Sequence, residues 1–186
     1  MAPMNRREAL KTGGVALGGA LLLSSGILAG CARDKRPPAN GMLSSDQQEL
    51  VAEIADTILP KTASSPGAKE ANAGPEINLL LSDCYEPPAQ QRIVDGLKQL
   101  EQRCELRFHK SFTQLTRDQR EEMLRTVSSE AKQAPPDTHW FPLMRELSQR
   151  AYFSSQVGMT KALRYIQVPG KWVGCMPLTP GQPAWG

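Results

Sequence analysis

Residues 45–60 read SDQQELVAEIADTILP, and the spacing of apolar residues in this stretch decides the fold class. Ser45 with Gln48 has the spacing of a capping box, and Pro60 ends the run. The apolar residues recur at steps of three and four, which is the period of one face of an α-helix: Leu50, Val51, Ile54, Ala55, Ile58 and Leu59. The stretch therefore predicts an amphipathic first helix.

Four more segments repeat this apolar period, and none alternates with the period of two that a half-buried strand shows. Pro75 and the pair Pro87-Pro88 stand where helices begin, and Thr116 with Gln119 forms a second capping box. The apolar residues of the four stripes are Ile77, Leu79, Leu80, Leu81 and Cys84; Ile93, Val94, Leu97, Leu100 and Cys104; Met123, Leu124 and Val127; and Trp140, Phe141, Leu143, Met144, Leu147, Ala151 and Tyr152. The sequence therefore predicts an all-α fold, a small domain of about five helices.

Composition divides the 186 residues into four regions. We predict a signal peptide over 1–30, a tether over 31–43, a helical domain over 44–168 and an extended tail over 169–186. The tail is irregular because proline and glycine recur through it, yet it also carries tryptophan at two positions. A segment that is only solvated would not need these aromatic residues.

The first thirty residues have the pattern of an export signal. Arg6 and Arg7 precede an uncharged segment from Thr12 to Gly30, which indicates the twin-arginine route. Leu28-Ala29-Gly30-Cys31 resembles a lipobox, so we expect lipidation of Cys31 and attachment to the periplasmic side of a bacterial envelope. The alternative is an uncleaved anchor, since a helix of about 17–25 apolar residues spans a bilayer. The twin-arginine route carries folded proteins, often with a bound cofactor or partner.

The charge balance excludes one large class of function. The first thirty residues hold three basic side chains and one acidic side chain, so 19 Lys+Arg and 18 Asp+Glu remain in the rest of the chain. Affinity for nucleic acid requires a clustered excess of basic residues. We therefore expect no nucleic-acid partner.

The sequence contains no strong catalytic or cofactor motif. Dinucleotide, phosphate-loop, iron–sulfur and covalent haem patterns are all absent, and no G-x-S-x-G surrounds the serines of the distal half. His109 and His139, with Glu105 and Asp137, allow a two-His-plus-carboxylate metal site, but two solvent-facing histidines are the favoured interpretation. We predict no catalytic, cofactor-binding or metal-binding residue.

Three cysteines remain if Cys31 carries a lipid, which allows one disulfide in an oxidising compartment. Cys84 ends one predicted helix and Cys104 lies far along the next, about 25 Å from its start, which disfavours that pair. The preferred pair is Cys84 with Cys175, which would fasten the tail to the helical body.

Two stretches of this sequence resemble a known family. The first is Ala55-Asp56-Thr57-Ile58-Leu59-Pro60, followed by Ser65-Pro66-Gly67-Ala68. The second runs from Tyr152-Phe153-Ser154-Ser155-Gln156-Val157-Gly158-Met159 through Tyr165, Pro169-Gly170 and Gly174-Cys175 to Trp185. Both are similar to the gluconate 2-dehydrogenase subunit 3 family, over about residues 47–186.

This resemblance implies a small helical accessory subunit without a catalytic motif of its own. It implies a large FAD-dependent partner of the glucose-methanol-choline type, with haem in a cytochrome c subunit that takes the electrons. Such complexes oxidise sugars or polyols, and the small subunit supplies the export signal for its folded partner. The alternative is an autonomous secreted lipoprotein, either ligand-binding or enzymatic, without a flavoprotein partner.

We expect the partner surface to lie on the segment from residue 152 to residue 185. Interfaces concentrate Trp and Tyr, and a Pro-rich strap loses little entropy on docking. The alternative is that the tail packs over the helices as a cap. The predicted partner-binding residues are Tyr152, Phe153, Tyr165, Pro169, Trp172 and Trp185.

Overall fold

The structure is a computed structural model that describes residues 41–168, 170–171 and 173–185. Five α-helices in this part of the chain are α1 (Ser45–Ile58), α2 (Ala73–Cys84), α3 (Pro87–Phe108), α4 (Arg117–Gln133) and α5 (Trp140–Ser154). A short 3₁₀ helix covers Phe112–Gln114 and a single π-helical turn covers Gly158–Ala162. The only extended pairing among the described residues is one isolated bridge, so the all-α prediction is confirmed.

The capping residue of helix α1 is Ser44, one residue before the predicted Ser45. The Ser44 side chain accepts from the Gln47 N–H, and the Gln47 side chain accepts from the Ser44 N–H. The predicted box of Ser45 with Gln48 is therefore wrong. The Gln48 amide instead donates to the Leu43 carbonyl over 3.0 Å. This register lets the apolar Leu43 side chain enter the core.

Leu43 is buried although the sequence places it in the tether. Its N–H donates to the Oδ1 of Asn78 on α2 over 3.1 Å, and Asn78 is itself buried. Burial of a leucine side chain contributes about 1.5–3 kcal/mol to the free energy of unfolding. The folded body thus begins before the predicted boundary at residue 44.

Helices α2 and α3 start close to the predicted prolines. Helix α2 begins at Ala73, and Pro75 lies in its first turn. Backbone N–H groups in the first turn form no hydrogen bond within the helix, so a proline there removes none. Gly74 packs against α1, because a Cβ there would stand 2.9 Å from the Cβ of Ala52. Helix α3 begins at Pro87 as predicted. Helix α4 also begins as predicted, after the capping box of Thr116 with Gln119.

Helix α5 is the centre of the fold and packs against each of the other four helices. Its N-terminal residue Trp140 stacks over Gly96 of α3, where any side chain would overlap the indole ring. All five predicted stripes contribute to one core, whose largest fully buried side chains are Phe112, Leu43, Ile54, Ile77, Leu81, Ile93, Leu97, Leu100, Met144, Leu147, Val51 and Val127.

No helix within residues 41–168 is long and apolar enough to cross a membrane. Arg6, Arg7 and Cys31 lie outside the described residues, as do Pro169 and Trp172 of the tail. The predictions made for these five residues therefore stay predictions.

Candidate partner surface

The loop after α1 is clamped to the end of that helix. The Lys69 N–H donates to Asp56 Oδ1 over 3.0 Å, and the Ala68 N–H donates to the Leu59 carbonyl over 2.9 Å. A Cβ at Gly67 would overlap the Asp56 carboxylate, so this approach requires glycine. The first of the two family-like stretches therefore has a structural role.

Tyr152 fastens the same loop from α5. Its hydroxyl donates to the Pro66 carbonyl over 2.7 Å, and only 3% of the residue is exposed. A partner cannot contact a side chain that the core covers. The prediction that Tyr152 binds a partner is corrected for this reason, whereas its place in the fifth apolar stripe is confirmed.

A buried carboxylate joins α1 to α4. Glu53 pairs with Arg120 and with Lys69, and within the described part of the chain it is the one charged residue that is buried. The Arg120 guanidinium also donates to the carbonyls of Phe112, over 3.2 Å, and Thr113, over 2.5 Å. Because both charges are paired and hydrogen-bonded, the cluster fixes the position of the 3₁₀ helix. Sequence analysis missed it, since its members lie far apart in the chain.

The C-terminal tail forms a loop whose two ends meet. The Arg164 N–H donates to the Ala184 carbonyl over 2.7 Å, and Arg164 forms an isolated parallel bridge with Trp185. The Arg164 guanidinium also lies 4.3 Å from the centroid of the Trp185 ring, in a cation–π contact. We call the described residues from 164 to 185 the tail loop and the contacts of Arg164 with residues 184–185 its neck.

The described residues of the tail loop are exposed at nearly every position, so these residues do not form a cap over the helical core. Its apolar side chains face solvent, among them Val168 at 78% and Leu178 at 82% exposure. A concentration of exposed apolar side chains in one segment is typical of a site that binds another molecule. The other exposed apolar residues of the loop are Tyr165, Ile166, Val173, Met176 and Trp185.

The remaining predicted partner residues that the structure describes lie at the surface. Phe153, Tyr165 and Trp185 are all exposed. Phe153 follows the buried Tyr152 directly, and the two rings meet edge to face with centroids 5.0 Å apart. The end of α5 thus passes from core to surface within one residue. Whether these side chains bind a partner stays a prediction.

The three cysteines in the described part of the chain are free thiols, and this structure holds no bridge between Cys84 and Cys175. Both of these residues are exposed, and their pairing stays a prediction. Cys104 is buried on α3, where desolvation, with a smaller effect of the Glu101 carboxylate, raises the pKa of its thiol to about 11. A thiol of this kind stays protonated at neutral pH and is a poor nucleophile.

The two histidines serve as helix caps. His109 closes α3 in the left-handed conformation, with φ of 52°, and it is exposed. His139 precedes α5, and its Nδ1 accepts from the Phe141 N–H over 3.1 Å. Burial lowers the pKa of His139, which favours this neutral form. The described residues contain no group of three His, Cys, Asp or Glu side chains that could hold a metal ion.

Two of the clefts among the described residues indent the helical body. The first, of about 410 Å³, is bordered by Tyr85, Arg92 and Glu146, and the Tyr85 hydroxyl donates to Glu146 over 3.3 Å. Burial and then the Glu146 charge raise the pKa of Tyr85. The second, of about 350 Å³, lies between α1, α4 and α5. No histidine or cysteine is among the described residues that line either cleft.

Comparison with known proteins identifies a family that this chain matches. The family described as gluconate 2-dehydrogenase subunit 3 matches residues 45–170, about two thirds of the chain. No curated protein and no solved structure matches the chain significantly. The match includes the clamped loop, all five helices and the neck residue Arg164, and it stops before the portion from Gly174 to Trp185 that also resembles the family. The chain belongs to the gluconate 2-dehydrogenase subunit 3 family.

Proposed function

We propose that the chain is the non-catalytic accessory subunit of an FAD-dependent sugar or polyol dehydrogenase in the bacterial envelope. The observation that carries this proposal is the family match over residues 45–170, because the family is named for a subunit of a gluconate dehydrogenase complex. The flavin belongs to the large partner subunit, and haem belongs to a cytochrome c subunit. Neither cofactor has a motif in this sequence.

The accessory subunit has three tasks in this proposal. Arg6 and Arg7 direct the folded complex to the twin-arginine route, so that a flavin-loaded partner is exported together with this chain. Cys31 carries the lipid that tethers the complex to the membrane. The tail loop holds the partner, and its exposed apolar side chains support this assignment. The helical body gives the loop a stable base, because α5 packs against each of the other four helices.

Export can be tested in the native host by replacing Arg6 and Arg7 with lysine. We expect both this chain and the flavoprotein to stay in the cytoplasm, since the partner has no other export signal in this proposal. The matched control replaces Cys31 with serine, which should leave export intact and release the complex from the membrane. Efficient export of the partner with the lysine variant would refute the shared route.

The partner surface can be tested by ending the chain after Gln167. The helical core lies before this residue, so circular dichroism and cooperative melting should change little. Flavoprotein should no longer co-purify with the shortened chain from native membranes. If the shortened chain still binds the flavoprotein, the interface lies on the helices instead.

A further inference from the structure

We propose that the tail loop docks as an extended segment into an apolar groove with an acidic rim on the flavoprotein. This inference rests on the proposed function, and it adds the chemistry of the surface that receives the loop. The occupant is a folded protein face, not a lipid bilayer and not a second copy of this chain. Three features of the loop lead to this assignment.

The first feature is the exposed apolar surface on a loop that is closed at its neck. The hydrogen bond of the Arg164 N–H with the Ala184 carbonyl and the stacking of Arg164 on Trp185 hold the two ends together. Within the loop, the Gln182 N–H donates to the Thr179 carbonyl over 3.1 Å in a turn with Gly181 at φ of 79°. These restraints reduce the number of conformations that the loop loses on binding.

The second feature is a one-sided charge. Glu146 is the last acidic side chain in the sequence, whereas Arg150 on α5 and then Lys161, Arg164 and Lys171 follow it. None of these four forms an ion pair with a described Asp or Glu side chain. In residues 41–160, by comparison, eight of the thirteen Lys and Arg side chains form such pairs: Lys61, Lys69, Lys98, Arg103, Arg107, Arg117, Arg120 and Arg125.

Charge complementarity therefore predicts acidic residues on the docking partner. Unpaired cations beside an apolar patch attract an acidic rim, which guides association and fixes the register of the two surfaces. An uncharged or basic groove would leave Lys171 and Arg164 without counterions. A second copy of this chain presents the same basic loop, so a symmetric contact between two loops would be repulsive.

The third feature is a backbone without internal partners. The described residues from Tyr165 to Leu178 form no backbone hydrogen bond with another described residue. Insertion into a bilayer would leave these N–H and C=O groups unsatisfied, at a cost of several kcal/mol for each group. A protein groove can satisfy them, as when an extended peptide pairs with the edge of a sheet. The backbone therefore favours a protein partner over a lipid surface.

The experiment compares two matched pairs of variants in the full chain, expressed in the native host. Leu178→Ser in the loop is paired with Leu106→Ser on α3, because these leucines are 82% and 81% exposed. Lys171→Glu in the loop is paired with Lys110→Glu after α3, since both lysines are exposed. An antibody against the helical body captures each chain from detergent-solubilised membranes. Bound flavin and the mass of the co-captured protein are then measured at low and high salt.

The proposal predicts that both loop variants lose bound flavoprotein and that both controls retain it. Lys171→Glu should weaken capture roughly three- to tenfold at low salt, and high salt should reduce the difference. Equal capture by Leu178→Ser and the wild type would overturn the proposal while leaving the accessory function intact. Absence of any flavoprotein from wild-type captures would instead refute the proposed function.

Vesicles separate a lipid surface from a protein groove. Purified wild-type chain is mixed with vesicles of phosphatidylglycerol and phosphatidylcholine, and bound protein is measured by sedimentation. We expect no difference between Lys171→Glu and Lys110→Glu in this assay. Vesicle binding that Lys171→Glu alone abolishes, with flavoprotein capture unchanged, would assign the loop to the membrane and overturn the proposal.

Discussion

Replacing Gly96 with alanine should destabilise the domain, although the same change stabilises most helices. Alanine is favoured over glycine in a helix interior by about 1 kcal/mol. At this position the new Cβ would overlap three atoms of the Trp140 indole, and both residues are buried. Overpacking of a rigid core costs about 1–3 kcal/mol. The cost should lie in the upper part of this range, about 2–3 kcal/mol, because the new Cβ would stand 2.1 Å from a carbon of the Trp140 ring. Subtracting the helix preference of about 1 kcal/mol leaves a net loss of about 1–2 kcal/mol in the free energy of unfolding.

Chemical and thermal unfolding of the purified protein measure this loss. A loss of 1 kcal/mol in a domain of this size lowers Tm by about 2–4 °C. The control is a double-mutant cycle with Trp140→Leu, in which the smaller side chain makes room for the new methyl group. Within that background, Gly96→Ala should be neutral or stabilising. Stabilisation by Gly96→Ala in the wild-type background would refute the packing of α3 on α5 described above.

Three further predictions concern buried and titrating groups. Replacing Glu53 with glutamine should lower the free energy of unfolding by about 2–3 kcal/mol, measured in urea, because the partly buried Arg120 loses its counterion. The contribution of the His139 cap to the free energy of unfolding should be fully present above the pKa of histidine in the unfolded chain, about 6.5, and should be lost as pH falls through the lowered pKa of His139 in the folded state. The reason is that a protonated ring cannot accept the hydrogen bond of the Phe141 N–H. The variant His139→Asn keeps a capping side chain and should remove this pH dependence. In the native reduced protein a thiol reagent should modify Cys84 and Cys175 but not Cys104, which is buried and whose pKa is raised to about 11. If Cys84 and Cys175 react with the reagent only after reduction, that result would support their predicted disulfide.

Local patterns were sufficient to predict the helices. The five stripes, the proline start of α3 and the capping box before α4 depend on residues three or four positions apart, and all of them are confirmed. The first capping box was predicted one residue too late because Ser44 and Ser45 are both good caps. The choice between them depends on burial of Leu43 against α2, which no local pattern contains.

The candidate site was less predictable because its contacts join distant parts of the chain. The neck brings Arg164 to Trp185, and no pattern in the sequence specifies that pair. The sequence places Tyr152 both in an apolar core stripe and in the aromatic-rich segment that we expected to bind a partner. The hydrogen bond of its hydroxyl to the Pro66 carbonyl, which the sequence does not reveal, identifies it as a core residue. The absence of acidic residues after Glu146, in contrast, is visible in the sequence and could have indicated the charge of the partner.

Two neighbouring residues at the end of α5 have different roles: Tyr152 stabilises the fold, and Phe153 lies on the surface that we propose binds the partner. Tyr152 belongs to the network that holds the family-like loop, so its removal should unfold part of the domain. Phe153 begins the exposed apolar surface, which contributes little to the buried core. Substitutions from Tyr165 to Leu178 should therefore change partner binding without changing Tm. The tail loop follows the π-helical turn of Gly158–Ala162, which packs against α5. Its origin is therefore held by the helical body, and its neck is closed by the hydrogen bond of the Arg164 N–H with the Ala184 carbonyl.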